Sequence, residues 1–236
     1  MPMSKKRFYT SLISILLAIN ICIFIAISFA LPDFDSLMYE IAGALIFLPL
    51  EIIVVIIIVD RILSKRDIEQ KLNKLNVVAG AFFSETGNPI MNSFISAIDN
   101  RIDVFNSVGI KPNWTKKDFK NAIVMPSAKF GNVDINKIDL KRLHKSLEED
   151  RSFLIALLAN PTLLEHERFT DMMLSVFHLA EELKSRTSLD GLPKEDLEHI
   201  SIDINRAYHK LVVEWLDYMY HVRSDYPFLY SCFLAS

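Results

Sequence analysis

The stretch that decides the fold is TLLEHERFTDMMLSVFHLAEELKSR, residues 162–186. Its apolar residues recur at steps of three and four, which is the period of an amphipathic α-helix. These residues are Phe169, Met173, Val176 and Ala180. Thr162 and Glu165 have the spacing of a capping box, so we predict a helix from Thr162 to about Arg186. Such a helix buries only one side, which favours a bundle of several helices.

Helical patterns continue on both sides of this stretch, without repeats or Gly/Ser linkers. Apolar residues step at three and four from Ile68 to Phe82, and Gly87 followed by Pro89 predicts the end of that helix. Thr115 and Asp118 have the spacing of a second cap. Further helices are predicted over 138–158 and from Pro193 to about Arg223, and residues 63–236 therefore form an all-α domain of about six helices.

The apolar run before this domain, from Phe8 to Pro32, contains 25 residues and no charged side chain. About 20 apolar residues suffice for a helix to cross a bilayer. An alternative is a cleavable signal peptide ending at Ser28, Phe29 and Ala30, but the run is longer than the usual apolar region of such a peptide. We therefore favour a retained membrane span.

A second apolar segment, from about Leu37 to Val59, is interrupted by Glu40 and Glu51. With the first run it predicts an N-terminal transmembrane helical hairpin over residues 1–62, with spans at about 8–31 and 37–60. Basic residues precede the first span and follow the second, which predicts a multi-pass protein of the inner (cytoplasmic) membrane with both termini cytoplasmic and the lipid bilayer as a partner. The 63–236 domain would then be cytosolic.

Charge and cysteine content exclude some classes of function. The net charge is −3, which argues against a nucleic-acid partner because nucleic-acid binding usually needs a clear basic excess. Cys22 lies in the first predicted span and Cys232 near the C-terminus, so no disulfide is expected between them.

A stripe of small residues at four-residue spacing runs along the first predicted span. It consists of Ser14, Ala18, Cys22, Ala26 and Ala30. Small residues let membrane helices approach closely. The stripe is interpreted either as a homo-oligomer seam or as packing within one hairpin.

Three polar side chains interrupt the two predicted spans and form a candidate membrane polar site. Asn20 and Glu51 fall at similar depth, and Glu40 shares a helix face with Glu51. A carboxylate inside a bilayer is costly unless it is paired or hydrated. The alternatives are a structural hydrogen bond between Asn20 and Glu51 or an ion pathway in an oligomer.

Four basic residues lie at the start of the helix predicted over 138–158, on about one side of it. They are Lys137, Lys141, Arg142 and Lys145. They are interpreted as solvated surface, as a patch for anionic lipid, or as a pocket for an anionic small-molecule ligand. The chain has no glycine-rich phosphate loop that would specify a nucleotide.

Polar stripes also occur on the two C-terminal helices. One contains Asp171, His178 and Glu182, and the other contains His199, Asp203, Asp217 and His221. Solvated helix faces are the favoured interpretation, with an interhelical metal or haem site as the alternative. No cofactor, metal-ligand set or catalytic residue is predicted, because no motif with a mechanism is present.

Several segments resemble a group of uncharacterised prokaryotic membrane proteins with two transmembrane helices and an all-helical cytosolic domain. The segments are Lys74–Gly87, Leu163–Glu167, Phe177–Leu183 and Trp215–Met219, followed by Tyr226 and Pro227. The resemblance implies an architecture and no activity.

The predicted function is that of a non-enzymatic, membrane-anchored homo-oligomer acting as a ligand-responsive channel or membrane effector. The alternatives are a non-conducting membrane scaffold or signalling adaptor, and a metal- or haem-binding helical-bundle enzyme.

Overall fold

The computed structural model describes residues 11, 14–15, 18–23, 25–26, 29 and 36–235, apart from the side chains of 36–42, 44–46, 49–50, 107–108 and 235. In this part of the chain every element is helical, and the one strand-type pairing is an isolated bridge between Ile98 and Val133. The helices are α1 (Ser36–Phe82), α2 (Asn88–Ser96), α3 (Arg101–Val108), α4 (Lys116–Ile123), α5 (Leu140–Glu149), α6 (Arg151–Leu158), α7 (Pro161–Leu164), α8 (Glu167–Lys184), α9 (Lys194–Asp225) and α10 (Pro227–Ala235), with a π-helical turn at Phe83–Gly87 and 3-10 turns at Ser127–Phe130 and Ile135–Lys137. The all-helical part of the predicted fold class is confirmed.

The predicted transmembrane hairpin is wrong. Among the described residues, none of the helices combines the length and the apolar character needed to cross a membrane. The first predicted span is described only in short pieces, and the side chains of α1 are described without a gap only from Glu51 onward. Charged side chains are costly in a spanning helix, and from Glu51 to Ile68 the helix already carries six of them. These are Glu51, Asp60, Arg61, Lys65, Arg66 and Asp67. The predicted multi-pass inner-membrane location and the channel rested on this hairpin and are corrected with it.

The chain divides into two compact units, residues 1–70 and 71–236. The predicted domain boundary fell between residues 62 and 63. Helix α1 begins in the first unit and ends in the second.

Helices α8 and α9 form the centre of the second unit. They pack against each other more extensively than any other pair of described elements, and α9 also contacts α2, α4 and α10. All four residues of the predicted apolar stripe on α8 are buried, which confirms that face. The buried residues that α9 contributes include Ile200, Ile204, Ala207 and Leu211. Burial of this continuous apolar surface stabilises the unit.

The predicted start of the helix at residue 162 is wrong. The side chain of Asn160 accepts a hydrogen bond from the backbone N–H of Thr162 at 2.9 Å and so caps the short helix α7 instead. A hydrogen bond of 2.6 Å from the Thr170 hydroxyl to the Leu163 carbonyl ties α8 back to α7. The chain therefore bends before Glu167, where α8 begins. The other predicted cap is confirmed, because the backbone N–H of Thr115 donates to the Asp118 carboxylate at 2.7 Å.

The predicted helix end at Gly87 is also wrong, since the chain stays helical through the π-turn and into α2. A side chain at Gly87 would meet the Phe83 ring at 2.7 Å, so the glycine is needed for close packing. Thr86 is fully buried in this turn, and its hydroxyl donates to the Asp150 carboxylate at 2.9 Å. Asp150 lies between α5 and α6, where the sequence predicted one continuous helix.

Candidate functional site

A polar cavity of about 450 Å³ lies between α2 and α5. Its polar lining includes the side chains of two cations, three serines, one asparagine and one aspartate. These are Lys137, Arg142, Ser93, Ser96, Ser146, Asn92 and Asp139. Hydroxyl and amide groups donate hydrogen bonds as the cations do, so the lining has the chemistry of an anion site.

Three carboxylates near this cavity accept hydrogen bonds from neighbouring backbone or side-chain groups. Asp139 accepts a hydrogen bond from the backbone N–H of Arg142 at 2.9 Å and caps α5. Asp134 accepts from the backbone and side-chain N–H groups of Asn136, and these bonds lower the pKa of the Asp134 carboxyl. Lys137 donates to Asp99, which raises the pKa of its ammonium. Lys137 is therefore fully charged at neutral pH.

The predicted basic row divides into two parts. Lys137 and Arg142 line the cavity, and Lys141 and Lys145 do not. Lys141 pairs with Asp190 at 2.5 Å, and Lys145 approaches Glu149 at 3.8 Å. Among the described carboxylates, none forms an ion pair with the Arg142 guanidinium.

A larger cavity of about 590 Å³ lies beside α3, α9 and α10, and its lining is mostly apolar. Asn92 lines both cavities, and Arg101 is the one charged side chain of the larger one. Of these two cavities, the smaller one therefore contains more of the groups that bind a charged ligand.

Ion pairs connect α8 and α9 along most of the length of α8. Arg168 pairs with Glu214 and Asp217, Asp171 pairs with Lys210, and Arg186, just after α8, pairs with Asp196. Between them, the His178 ring lies 3.3 Å from the Asp203 carboxylate. Partners on α9 come earlier in the chain as residues on α8 come later, so the two helices are antiparallel. In the predicted polar stripe, Asp171 forms an ion pair with Lys210, and Glu182 forms one with Arg186.

Glu214 is the most buried acid of this interface, with 6% of its side chain exposed. Burial raises the pKa of its carboxyl, and the neighbouring Arg168 guanidinium opposes that shift. The two side chains are in contact at 2.5 Å. Sequence analysis missed Glu214 because nothing in its local pattern distinguishes it from an exposed acid.

A second cluster on α8 and α9 has the composition of a metal-ligand set. His178 and Glu182 lie one turn apart on α8, and Asp203 faces them from α9. One ligand atom from each residue lies within 4.8 Å of the other two. The sequence placed these residues in two separate polar stripes, and only the packing of α8 on α9 brings them together.

The predicted membrane residues belong to the first unit. Asn20 and Glu51 are described, and the side chain of Glu40 is outside the described residues. Their interpretation as a membrane polar site rested on the hairpin and is not retained. In the small-residue stripe, Ala30 is likewise outside the described residues. The other four members are helical and exposed.

Comparisons with known proteins give one family and one relative. The family described as "Uncharacterized protein MJ1433, C-terminal helical domain" matches residues 71–235, which corresponds to the second compact unit. The uncharacterized protein MJ1433 of Methanocaldococcus jannaschii is 35% identical over 234 residues, covering 99% of this chain and 94% of the relative. No solved structure matches the chain. The predicted resemblance is thus confirmed for an uncharacterised prokaryotic family with a helical domain, and its two-transmembrane-helix part is not supported.

Proposed function

The chain belongs to the family of the MJ1433 C-terminal helical domain, and we propose that this domain binds an anionic small molecule in the polar cavity between α2 and α5. The observation that carries the proposal is that Lys137 and Arg142 line one cavity together with three serines and an asparagine. The ligand class is a small molecule bearing a phosphate or a carboxylate group.

The donors of the cavity suit such a group. The Arg142 guanidinium offers parallel N–H groups, a geometry that matches carboxylate and phosphate oxygens. Lys137 adds a second positive charge. The hydroxyls of Ser93 and Ser146 supply neutral hydrogen bonds, whereas that of Ser96 already donates to the Ser93 carbonyl. Lys137 is paired with Asp99 and Asp139 caps α5, so Arg142 is the cation of the lining that no described carboxylate pairs with.

The size of the cavity also favours a small molecule. Binding cavities for small ligands typically measure about 300–1,000 Å³, and this one measures about 450 Å³. Arg142 and Asn92 are exposed at its edge, so a ligand has direct access from solvent.

Arg142→Gln tests the proposal, with inorganic phosphate as the probe. We expect the variant to bind phosphate at least about tenfold more weakly than the parent chain, because a charge-assisted hydrogen bond contributes about 1.5–3 kcal/mol. The measurement is calorimetric titration, supported by thermal unfolding in phosphate and in chloride of equal ionic strength. Phosphate also stabilises folded proteins non-specifically, so the quantity compared is the difference between variants.

Lys145→Gln is the matched control. It removes one positive charge from the same helix, but Lys145 lies outside the cavity lining. We expect this control to bind phosphate as the parent chain does. Equal weakening in both variants, or no binding by the parent chain, would contradict the proposal.

The predicted formation of a homo-oligomer remains a prediction, and it can be tested separately from ligand binding. We expect the full chain to form a homo-oligomer, so light scattering after size-exclusion chromatography should give a multiple of 27.1 kDa. A mass that stays at one chain across the accessible concentration range would refute it.

A further inference from the structure

We propose that His178, Glu182 and Asp203 form a binding site for a divalent transition-metal ion of the zinc type. The site is separate from the anion cavity, since none of its three residues lines that cavity. It would join α8 to α9, the two helices at the centre of the unit.

The backbone arrangement supplies the first argument. His178 and Glu182 are separated by four residues, so their side chains lie next to each other on one face of α8. Asp203 comes from the antiparallel helix α9, and its carboxylate lies 3.3 Å from the Nε2 atom of His178. Two rigid helices therefore hold all three groups.

The distances are close to those of an occupied site. Metal–ligand bonds of about 2.0–2.2 Å place neighbouring ligand atoms about 3–4 Å apart. The three atoms here already lie within 4.8 Å of one another. Small changes of side-chain rotamer close the remaining gap, because His178 is 60% exposed and its ring is not locked in the core.

The donor set defines the class of ion. One imidazole and two carboxylates suit zinc, manganese or ferrous iron. Magnesium and calcium prefer all-oxygen ligands, so they gain little from His178. Three protein ligands also leave a coordination position for water, which is the arrangement of an open site.

The neighbouring arginines orient the carboxylates and leave an oxygen on each. Arg206 donates to one oxygen of Asp203 at 2.7 Å, and Arg186 donates to one oxygen of Glu182 at 2.8 Å. The other oxygen of Asp203 is the one that lies 3.3 Å from Nε2 of His178. Partners of this kind hold metal ligands in position, although their positive charges also weaken the attraction for a cation.

The test uses the full chain after chelator treatment and dialysis. Zinc chloride titrated by calorimetry should bind at one site and raise the thermal midpoint by several degrees, since a ligand that binds only the folded state stabilises it. Cobalt chloride should give the visible d–d absorption bands of a protein-bound Co²⁺ ion. His178→Ala should weaken zinc binding by more than about tenfold and remove the cobalt bands.

His199→Ala is the matched control, because His199 is an exposed imidazole on the same pair of helices and lies outside the cluster. It should bind zinc as the parent chain does. Asp203→Asn is the second variant. Because Asp203 is buried, the thermal midpoint of this variant is measured with and without zinc, so that a general loss of stability is not mistaken for lost binding.

The inference fails if the parent chain binds neither zinc nor cobalt. It also fails if His178→Ala and His199→Ala weaken binding equally, since the contact of His178 with Asp203 would then only join the two helices.

Discussion

Replacing Arg168 with methionine lowers the free energy of unfolding by about 2–3 kcal/mol at neutral pH. Removing one partner of a buried ion pair leaves the other charge uncompensated, which typically costs about 3–5 kcal/mol. Here Glu214 is buried but Arg168 is 54% exposed, so we expect a value at or below the lower end of that range. Urea unfolding of the parent chain and the variant at neutral pH measures the loss.

The pH dependence identifies the cause of this loss. Burial raises the pKa of the Glu214 carboxyl in the folded protein, so the folded state binds its proton more tightly than the unfolded state. Stability from this group is therefore highest below the unfolded pKa of about 4.3 and falls as pH rises through the folded pKa. Without Arg168 the folded pKa rises further, so the destabilisation should be large at neutral pH and small near pH 4.

Glu214→Gln provides the matching control. In that background no carboxylate remains to be uncompensated, so Arg168→Met should cost less than about 1 kcal/mol, which is typical of a partly exposed contact. Asp217 still faces Arg168, but it is half exposed and is solvated without its partner. If Arg168→Met costs the same in both backgrounds and at both pH values, the Arg168 stem rather than the charge pair is responsible.

Phe82→Ala is expected to produce the largest loss of stability, about 3–5 kcal/mol. Phe82 is fully buried at the end of α1 and contacts Phe83 and Phe169 edge to face, with ring centroids 5.1 Å and 5.9 Å away. Truncation removes these contacts and leaves a cavity that rigid neighbours fill only in part. Thermal and urea unfolding of the variant provide the measurement.

Val77→Ala on the same helix is the control for this substitution. Val77 is 73% exposed, so its truncation should change the free energy of unfolding by less than about 0.5 kcal/mol. Similar changes in the two variants would show that packing of the Phe82 ring contributes little to stability.

Local sequence patterns predicted the helices better than their ends. The stripe from Phe169 to Ala180 is buried as its spacing indicates. The cap at Thr115 also formed, because its two partners lie three residues apart and need no distant group. At Thr162 the same kind of pattern failed, because the side chain of Asn160 accepts the hydrogen bond from the backbone N–H of Thr162 and caps α7 instead.

The N-terminal prediction failed for a different reason. It rested on the lengths of two apolar runs and on the basic residues that flank them. Helix α1 continues without a break to Phe82, through a strongly charged segment after Val59. A hydropathy pattern measures the composition of a segment and does not determine where the helix containing it ends.

The candidate sites also depended partly on local sequence patterns and partly on tertiary packing. Two residues of the predicted basic row, Lys137 and Arg142, line one cavity, but their partners Asn92 and Ser93 come from α2, which no local pattern connects with α5. Glu214 was not predicted at all, because its burial depends on the packing of α9 against α8.

The order of residues alone predicted amphipathic helices within residues 63–236, because helical periodicity is a local property of spacing. Only the tertiary structure decided which polar groups meet. The antiparallel register of α8 against α9 sets Asp203 beside His178 and Glu214 beside Arg168. That register depends on the bend before Glu167, the connection over 185–193 and the fit of the buried side chains, and none of these can be read from the spacing within one helix.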